Sequence, residues 1–237
     1  MDMKDTGSTR GIYSLGLGPG DPELITVKAQ NILTHSDVVF VPQSDELGRS
    51  IARDIVLNYV AEEKIRTYYF PMNNRREELL KRYRELAQTL LEMLQTGAAV
   101  TYVTMGDPTI FSTSIYITRE LQLLGVEVRH VPGISSINAA TALIGLPLCQ
   151  KGEDFGVYEL PKTTDEVTAL IHRHHSTVFM KVGKRLDTLV EAVRQAAPQS
   201  AFLVQRIGLP DETIYDLLSV TPSAEAGYLS IAIIRSR

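Results

Sequence analysis

The fold is most clearly indicated near the start of the chain, where residues 12–33 read IYSLGLGPGDPELITVKAQNIL. The apolar run at 12–17 has the length of a buried strand, and it ends in a glycine-rich loop. Asp21 and Pro22 are typical of the cap and the first residue of a helix. Residues 26–33 then carry a helical pattern. This stretch therefore predicts a strand, a tight loop and a helix.

The alternation of strand and helix continues about five times through residue 131. The clearest helix, at 77–95, carries an apolar stripe on Leu79, Tyr83, Leu86, Leu90 and Leu94. Such alternation predicts a parallel sheet with helices on both faces, and ligands bind beyond the carboxyl ends of its strands. A strand at 37–41, closed by Pro42, is part of this pattern.

The second half of the chain differs, because strands follow one another with few helices between them. The predicted strands are at 154–160, 177–182, 201–207, 214–220 and 228–234. This pattern predicts a mixed sheet in a second α/β domain. The resulting division is a flexible tail at 1–10, an N-terminal domain at 11–132 and a C-terminal domain at 133–237.

Composition excludes several classes of protein. The 237 residues are 44% hydrophobic, which suffices for a sizeable core. A single cysteine, Cys149, excludes an intrachain disulfide and indicates a reduced, cytoplasmic protein. The formal net charge of −4 disfavours nucleic-acid binding. No apolar run is long enough to predict a membrane-spanning helix.

The tripeptide Gly-Asp-Pro follows two predicted strands, at 20–22 and at 106–108. Each copy is explained as the start of a helix, and each would also place backbone amides and a carboxylate at the ligand-binding edge. These two interpretations are about evenly supported. The first loop differs from a dinucleotide fingerprint in its glycine spacing, and Pro19 removes an amide donor. It therefore suits a ligand other than a diphosphate.

Other candidate sites are weaker. His172, His174 and His175 suggest a metal site at first, but a solvated helix end explains them better. Ser135 and Ser136 can cap the helix that follows them or bind a ligand, and capping is the better interpretation for at least one of them.

Three motifs together are more specific: GLGPGDPELIT at 16–26, TMGDPTIFSTS at 104–114 and VPGISSINAATALIGLPL at 131–148. In this order and spacing they resemble the tetrapyrrole (corrin/porphyrin) methyltransferase family, over nearly the whole chain from Gly11. They are most similar to the enzymes that methylate C-20 of precorrin-2 or cobalt-factor II. Uroporphyrinogen III methyltransferases usually carry Gly-Gly-Asp-Pro followed by arginine and paired glycines. Met105 and the run 112–114 differ from that pattern.

The resemblance implies a two-domain α/β enzyme that binds S-adenosylmethionine in a cleft between the domains and releases S-adenosylhomocysteine. It also implies a homodimer, without a protein-bound metal. The donor-binding residues carried over by motif are Pro19, Met105, Gly106, Asp107, Ile110, Ser135 and Ser136, with Met180 or Lys181 and Ile207 from the second domain. Apolar contacts suit the adenine and thioether parts of the donor, and the carboxylate of Asp107 suits its amino or ribose groups.

The implied substrate is an anionic tetrapyrrole, so an acidic chain must concentrate positive charge locally. Arg49 and Arg53 are the leading candidates, because guanidinium groups match carboxylates well. Asp107 is the candidate catalytic residue, and Tyr13 and Tyr102 are further candidates for a general base. The motifs do not separate a cobalt-containing from a metal-free substrate.

Two other functions remain as alternatives. One is a different methyltransferase of this fold, such as a uroporphyrinogen III C-methyltransferase or a diphthine synthase. The other is a non-catalytic nucleotide-binding α/β protein.

Overall fold

The computed structural model describes residues 11–43, 50–70 and 76–236. The chain divides into two compact units, Met1–Ser135 and Ser136–Arg237, and each is described by itself. The predicted tail at 1–10 lies outside the described residues. No helix in the described ranges is long and apolar enough to cross a membrane.

The first unit is built on a five-stranded parallel sheet of order β3-β2-β4-β1-β5. Its strands are β1 (Ile12–Gly16), β2 (Val38–Gln43), β3 (Ile65–Tyr69), β4 (Val100–Thr104) and β5 (Val128–Val131). Its helices are α1 (Val27–His35), α2 (Ile51–Val56), α3 (Arg76–Gln95) and α4 (Ser114–Leu123).

Alternate residues of this sheet face two different cores, because successive side chains of a strand point to opposite faces. Val39 and Val41 pack in the cluster that α1 and α2 cover. Phe40, which lies between them, packs in the cluster that α3 and α4 cover. Helices therefore lie on both faces, which confirms the predicted parallel sheet.

The order of the strands singles out β1 and β4. The connection that leaves β1 leads to β2 on one side, whereas the connection that leaves β4 leads to β5 on the other side. Adjacent strands whose connections run in opposite directions form a switch point, where open α/β sheets bind their ligands.

The second unit carries a mixed sheet of order β6-β7-β10-β8-β9. Its strands are β6 (Phe155–Glu159), β7 (Ser176–Met180), β8 (Ser200–Gln205), β9 (Thr213–Asp216) and β10 (Ser230–Arg235). Its helices are α5 (Ser136–Ile144), α6 (Thr164–Arg173) and α7 (Leu186–Ala196). Strand β6 is parallel to β7, while β10 is antiparallel to both β7 and β8. The predicted mixed sheet is thus confirmed.

The prediction that Pro42 ends β2 is wrong, since β2 continues to Gln43. Strand β2 pairs with β4 only from Val38 to Phe40 and continues beyond that point against β3. Pro42 therefore sits where one neighbour has been lost, and a missing N–H is tolerated there as on an edge strand.

Candidate ligand-binding site

Three loops leave neighbouring strands of the first unit and meet at one edge of its sheet. The first loop (residues 17–21) follows β1, the second loop (residues 105–113) follows β4, and the third loop (residues 132–135) follows β5. Because β4, β1 and β5 are adjacent and parallel, the loops emerge side by side. The motifs that the sequence singled out therefore come together within one unit.

The loops approach so closely that side chains have no room between them. A Cβ atom on Gly133 would lie 2.1 Å from the carbonyl oxygen of Gly106, and one on Gly16 would lie 2.5 Å from the same atom. Both distances are shorter than real Cβ contacts allow. Gly16, Gly106 and Gly133, here called the glycine junction, thus join the three loops backbone to backbone.

Hydrogen bonds reinforce the glycine junction. The amide of Gly106 donates to the carbonyl oxygen of Gly18 at 2.6 Å, and the amide of Gly18 donates back to that of Gly106 at 3.3 Å. Gly106 has a φ of +67°, a conformation that favours glycine. A Cβ atom at Gly106 would meet no atom within 4 Å, so there is open space beside the second loop at this residue.

Asp107 connects the second loop to the third. Its Oδ1 accepts hydrogen bonds from the amide of Thr109 at 2.8 Å and from the hydroxyl of Thr109. Its Oδ2 accepts the amide of Gly133 at 3.1 Å. The prediction that Asp107 and Pro108 start a helix is wrong, because α4 begins only at Ser114. Its twin Asp21 does cap a short 3₁₀ helix, Pro22–Leu24.

The remaining candidate residues of the first unit differ in exposure. Pro19, Met105 and Ile110 are half-buried at the edge that the loops form. Ser135 is buried, and α5 begins at the next residue, Ser136, so Ser135 occupies the position of a helix cap.

The two tyrosines considered as general bases, Tyr13 and Tyr102, are not exposed. Tyr102 is fully buried, and burial raises the pKa of its phenol. Its hydroxyl contacts that of Thr118 at 2.6 Å. Tyr13 is half-buried, and its hydroxyl accepts a hydrogen bond from Arg129 at 3.4 Å. The burial of Tyr102 argues against its use as a general base.

In the second unit, backbone strain marks one edge of the sheet. Lys181 follows the end of β7 with a φ of +55°, and Arg206 follows the end of β8 with a φ of +54°. Leu229, with a φ of +51°, precedes the start of the antiparallel β10, and its carbonyl accepts the amide of Arg206 at 2.9 Å. Left-handed residues that are not glycine concentrate at functional sites.

The sequence prediction included Lys181 at this edge but missed Arg206 and Leu229. Residue type gave no signal for these two positions, since glycine and asparagine are the residues expected in this conformation. The antiparallel pairing of β10 with β7 and β8 is what brings Leu229 to the edge.

An ion pair and a hydrogen bond hold the loop after β8. Arg206 pairs with Asp211, and its hydrogen bond lowers the pKa of the Asp211 carboxyl group. The amide of Gly208 donates to Glu212 at 2.7 Å. Ile207, the candidate donor contact between them, is only 7% exposed. A ligand would therefore contact Ile207 mainly through its backbone.

The candidate substrate-binding arginines are only partly described. Arg49 lies outside the described residues. Arg53, on α2, forms an ion pair with Glu62, whose side chain is 72% exposed. Arg53 could therefore exchange an exposed carboxylate for another at little cost, because such surface pairs contribute only about 0.2–1 kcal/mol.

His172 is exposed in the last turn of α6, which confirms the predicted helix end for this residue. His174 and His175 instead pair with a carboxylate, which corrects the prediction for these two. Nδ1 of His174 and Nδ1 of His175 each lie 2.7 Å from a different oxygen of Asp154. Hydrogen bonds from His175 and His174 hold the pKa of Asp154 well below its usual range. Across the described ranges, no group of three or more His, Cys, Asp or Glu residues could hold a metal ion.

Comparison with known proteins gives consistent matches across both units. The family model for tetrapyrrole (corrin/porphyrin) methylases matches residues 11–219. A probable cobalt-precorrin-2 C(20)-methyltransferase of Methanocaldococcus jannaschii is 35% identical over 231 residues, which cover 94% of this chain and 95% of the relative. The cobalt-precorrin-2 C(20)-methyltransferase of Salmonella typhimurium is 30% identical over 231 residues, with coverage of 95% and 96%. The solved structure of a cobalt precorrin-4 methyltransferase shares the fold, with a TM-score of 0.75 at 20% identity and coverage of 99% and 98%.

Proposed function

Because the chain belongs to the tetrapyrrole (corrin/porphyrin) methylase family, we propose that it methylates C-20 of precorrin-2 or cobalt-factor II in cobalamin biosynthesis. The methyl donor in this proposal is S-adenosylmethionine. The observation that carries it is the match at 35% identity, over 94% of this chain, to a relative named as a probable cobalt-precorrin-2 C(20)-methyltransferase. The distinctive second loop, with Met105 before Gly106, supports the same branch.

The edge formed by the three loops fits a donor without phosphate groups. Its backbone is open at Gly106, where a side chain would meet no neighbour. Met105 and Ile110 offer half-buried apolar surface for the adenine and thioether parts. Pro19 is acceptable there, because no diphosphate has to be cradled by amides. We assign Pro19, Met105, Gly106, Asp107, Ile110, Ser135 and Ser136 to donor binding.

The second unit would contribute Met180, Lys181 and Ile207. Support comes from the strained backbone at Lys181 and at the neighbouring Arg206. Such conformations persist only where the surroundings fix them, and they concentrate at ligand sites. Leu229 belongs to the same edge and joins this proposal.

The chain's own residues bind and orient the reactants. When bound, S-adenosylmethionine supplies a methyl group on a sulfonium leaving group. Orientation of two reactants can lower a barrier by about 7–11 kcal/mol. The glycine junction fixes the loops for this purpose, and Asp107 holds the second loop against the third. Each carboxylate oxygen can accept two hydrogen bonds, so Asp107 can also receive a donor amino or hydroxyl group.

The substrate would carry several carboxylates, for which Arg49 and Arg53 are the proposed partners. Arg53 would exchange Glu62 for a substrate carboxylate. We further propose that the enzyme is a cytoplasmic homodimer and that any cobalt belongs to the substrate.

Turnover under anaerobic conditions tests the function directly. Purified protein and S-adenosylmethionine would be incubated in parallel with precorrin-2, with cobalt-factor II and, as the comparison, with uroporphyrinogen III, and the product masses measured by mass spectrometry. One added methyl group on either compound is the expected result, and the preferred compound identifies the substrate. Methylation of uroporphyrinogen III with neither compound modified would contradict the assignment to C-20.

A further inference from the structure

A row of hydroxyl groups spans the second loop from the end of β4 to the start of α4, and the sequence motifs left it unassigned. Thr104 ends β4, Ser112 lies near the end of the loop, and Ser114 is the first residue of α4. The hydroxyl oxygen of Ser112 lies 2.9 Å from that of Thr104 and 2.9 Å from that of Ser114. The hydroxyl of Ser114 donates to the carbonyl oxygen of Pro108, also at 2.9 Å.

The number of protons fixes the direction of this row. Three hydroxyl hydrogens must serve three contacts of 2.9 Å. Ser114 uses its hydrogen on Pro108, so Ser112 must donate to Ser114, and Thr104 must donate to Ser112. The other contact of Thr104, to the carbonyl of Met105, is long at 3.4 Å and is the weaker use of its hydrogen. The result is a directed chain that runs from Thr104 through Ser112 and Ser114 to the Pro108 carbonyl.

We propose that Thr104, Ser112 and Ser114 are positioning residues for donor binding, because their hydroxyl chain fixes the shape of the second loop. The inference rests on the proposed use of that loop in binding S-adenosylmethionine. This hydroxyl chain connects the end of β4, the start of α4 and the backbone of the second loop at Pro108. Hydrogen bonds in such a chain polarise one another, so the row acts as a unit.

Two further features need such a tie. Phe111, next to Ser112, has a φ of +47°, a conformation that is unfavourable for a residue with a side chain and persists only where the surroundings enforce it. Pro108, which receives the end of the chain, adjoins Asp107, whose Oδ2 holds Gly133 of the third loop. Fixing Pro108 therefore also fixes the contact between the two loops.

Ser112 is the central member of the chain. Besides its contacts with Thr104 and Ser114, its oxygen accepts the amide of Ser114 at 3.2 Å. Removing the Ser112 hydroxyl therefore breaks three hydrogen bonds, whereas removing that of Thr104 breaks its bond to Ser112 and leaves the rest. A graded effect follows, with Ser112 more sensitive than Thr104.

The test compares ligand affinity in matched variants of the full chain. The variants are Ser112→Ala, Thr104→Val and the conservative Ser112→Thr. The control is Ser36→Ala, which removes a hydroxyl–hydroxyl contact elsewhere in the first unit, since Oγ of Ser36 lies 2.8 Å from Oγ1 of Thr101. S-adenosylhomocysteine would be titrated into each protein in a calorimeter, and hydrogen exchange of residues 105–113 would be followed without ligand.

We expect Ser112→Ala to bind S-adenosylhomocysteine about tenfold more weakly, because the loosened loop must then be ordered when the ligand binds, which costs binding free energy. The affinity of Thr104→Val should lie between that of Ser112→Ala and that of the wild type. Ser112→Thr and Ser36→Ala should bind S-adenosylhomocysteine with wild-type affinity. The kcat at saturating donor should change little, and KM should follow the affinity. Exchange at 105–113 should rise in Ser112→Ala and not in Ser36→Ala.

Equal affinity and equal loop exchange in Ser112→Ala and Ser36→Ala would overturn the inference. If Ser112→Ala does not fold, Thr104→Val decides the question by the same measurements. Failure of the wild type to bind S-adenosylhomocysteine would instead contradict the proposed function, and the exchange comparison would still test whether the hydroxyl chain orders the loop.

Discussion

Replacing Gly133 by alanine should separate the second and third loops. A Cβ atom at this position would lie 2.1 Å from the carbonyl oxygen of Gly106, whereas ordinary contact begins at 3.4 Å. The loops must therefore move apart by about 1.3 Å, the difference between these two distances. The obstacle is backbone rather than a flexible side chain, so rotation of a neighbour cannot relieve it.

The displacement has two measurable consequences. Overpacking of a well-packed site costs about 1–3 kcal/mol, and a chain of this length loses about 2–4 °C of Tm per kcal/mol. The hydrogen bond from the Gly133 amide to Asp107, now 3.1 Å, would also lengthen beyond its useful range. A misplacement of about 1 Å can reduce turnover roughly 10²-fold. We expect a lower Tm and a kcat/KM reduced by about that factor.

The matched control is Gly11→Ala, because a Cβ atom at Gly11 would meet nothing within 4 Å. Both substitutions reduce the freedom of the unfolded chain in the same way, so the comparison isolates the contact at the glycine junction. Thermal unfolding and the anaerobic turnover assay would be run on both variants. A Gly133→Ala enzyme with the Tm and kcat/KM of Gly11→Ala would refute the close approach of the loops.

Two other predictions concern groups outside this contact. Asp154 has a pKa lowered by hydrogen bonds from His175 and His174, so its stabilising effect is present above its unfolded pKa of about 3.9 and is lost as the pH falls below that value. Asp154→Asn should therefore lower the urea midpoint at pH 7 and flatten its decline below about pH 4; an unchanged pH profile would contradict the histidine contacts. Tyr102→Phe should lower the free energy of unfolding by about 0.5–1.5 kcal/mol, because it removes the hydrogen bond with Thr118. The kcat of this variant should stay near that of the wild type at every pH. A large loss of kcat would restore Tyr102 as a candidate base.

Periodicity predicted the architecture because two kinds of burial leave different patterns. Val39, Phe40 and Val41 are consecutive apolar residues, and in the structure they serve two cores on opposite faces of one sheet. Such a run is what a sheet covered on both sides requires. The apolar stripe of α3 predicted that helix equally well, since the stripe faces a single core. Pro42 was misinterpreted because local rules take no account of where the pairing with a neighbouring strand stops, which for β2 and β4 is after Phe40.

The two Gly-Asp-Pro tripeptides show where local reasoning stops. Both have the same three residues after a strand, yet Asp21 caps a short helix and Asp107 reaches a loop from another part of the chain. The difference lies in Gly133, which is 26 residues from Asp107 in sequence. Both carboxylates accept the amide two residues further on, and Asp107 adds a tertiary hydrogen bond through its Oδ2. That second role of Asp107 could be found only from the fold.

The glycine-rich first loop has a similar lesson for the site itself. Glycines after a first strand are commonly explained by the approach of a phosphate to the backbone. Here Gly16 is required by the approach of protein backbone instead, since its missing Cβ would meet Gly106 and Gly133. At the glycine junction, the backbones of the three loops are thus in direct contact, with no side chains packed between them. A Cβ atom at Gly16 or at Gly133 would meet the backbone of the other two glycines, so a single added methyl group at either position should disturb all three loops together. A methyl group at the open face of Gly106 should act only through its φ of +67°.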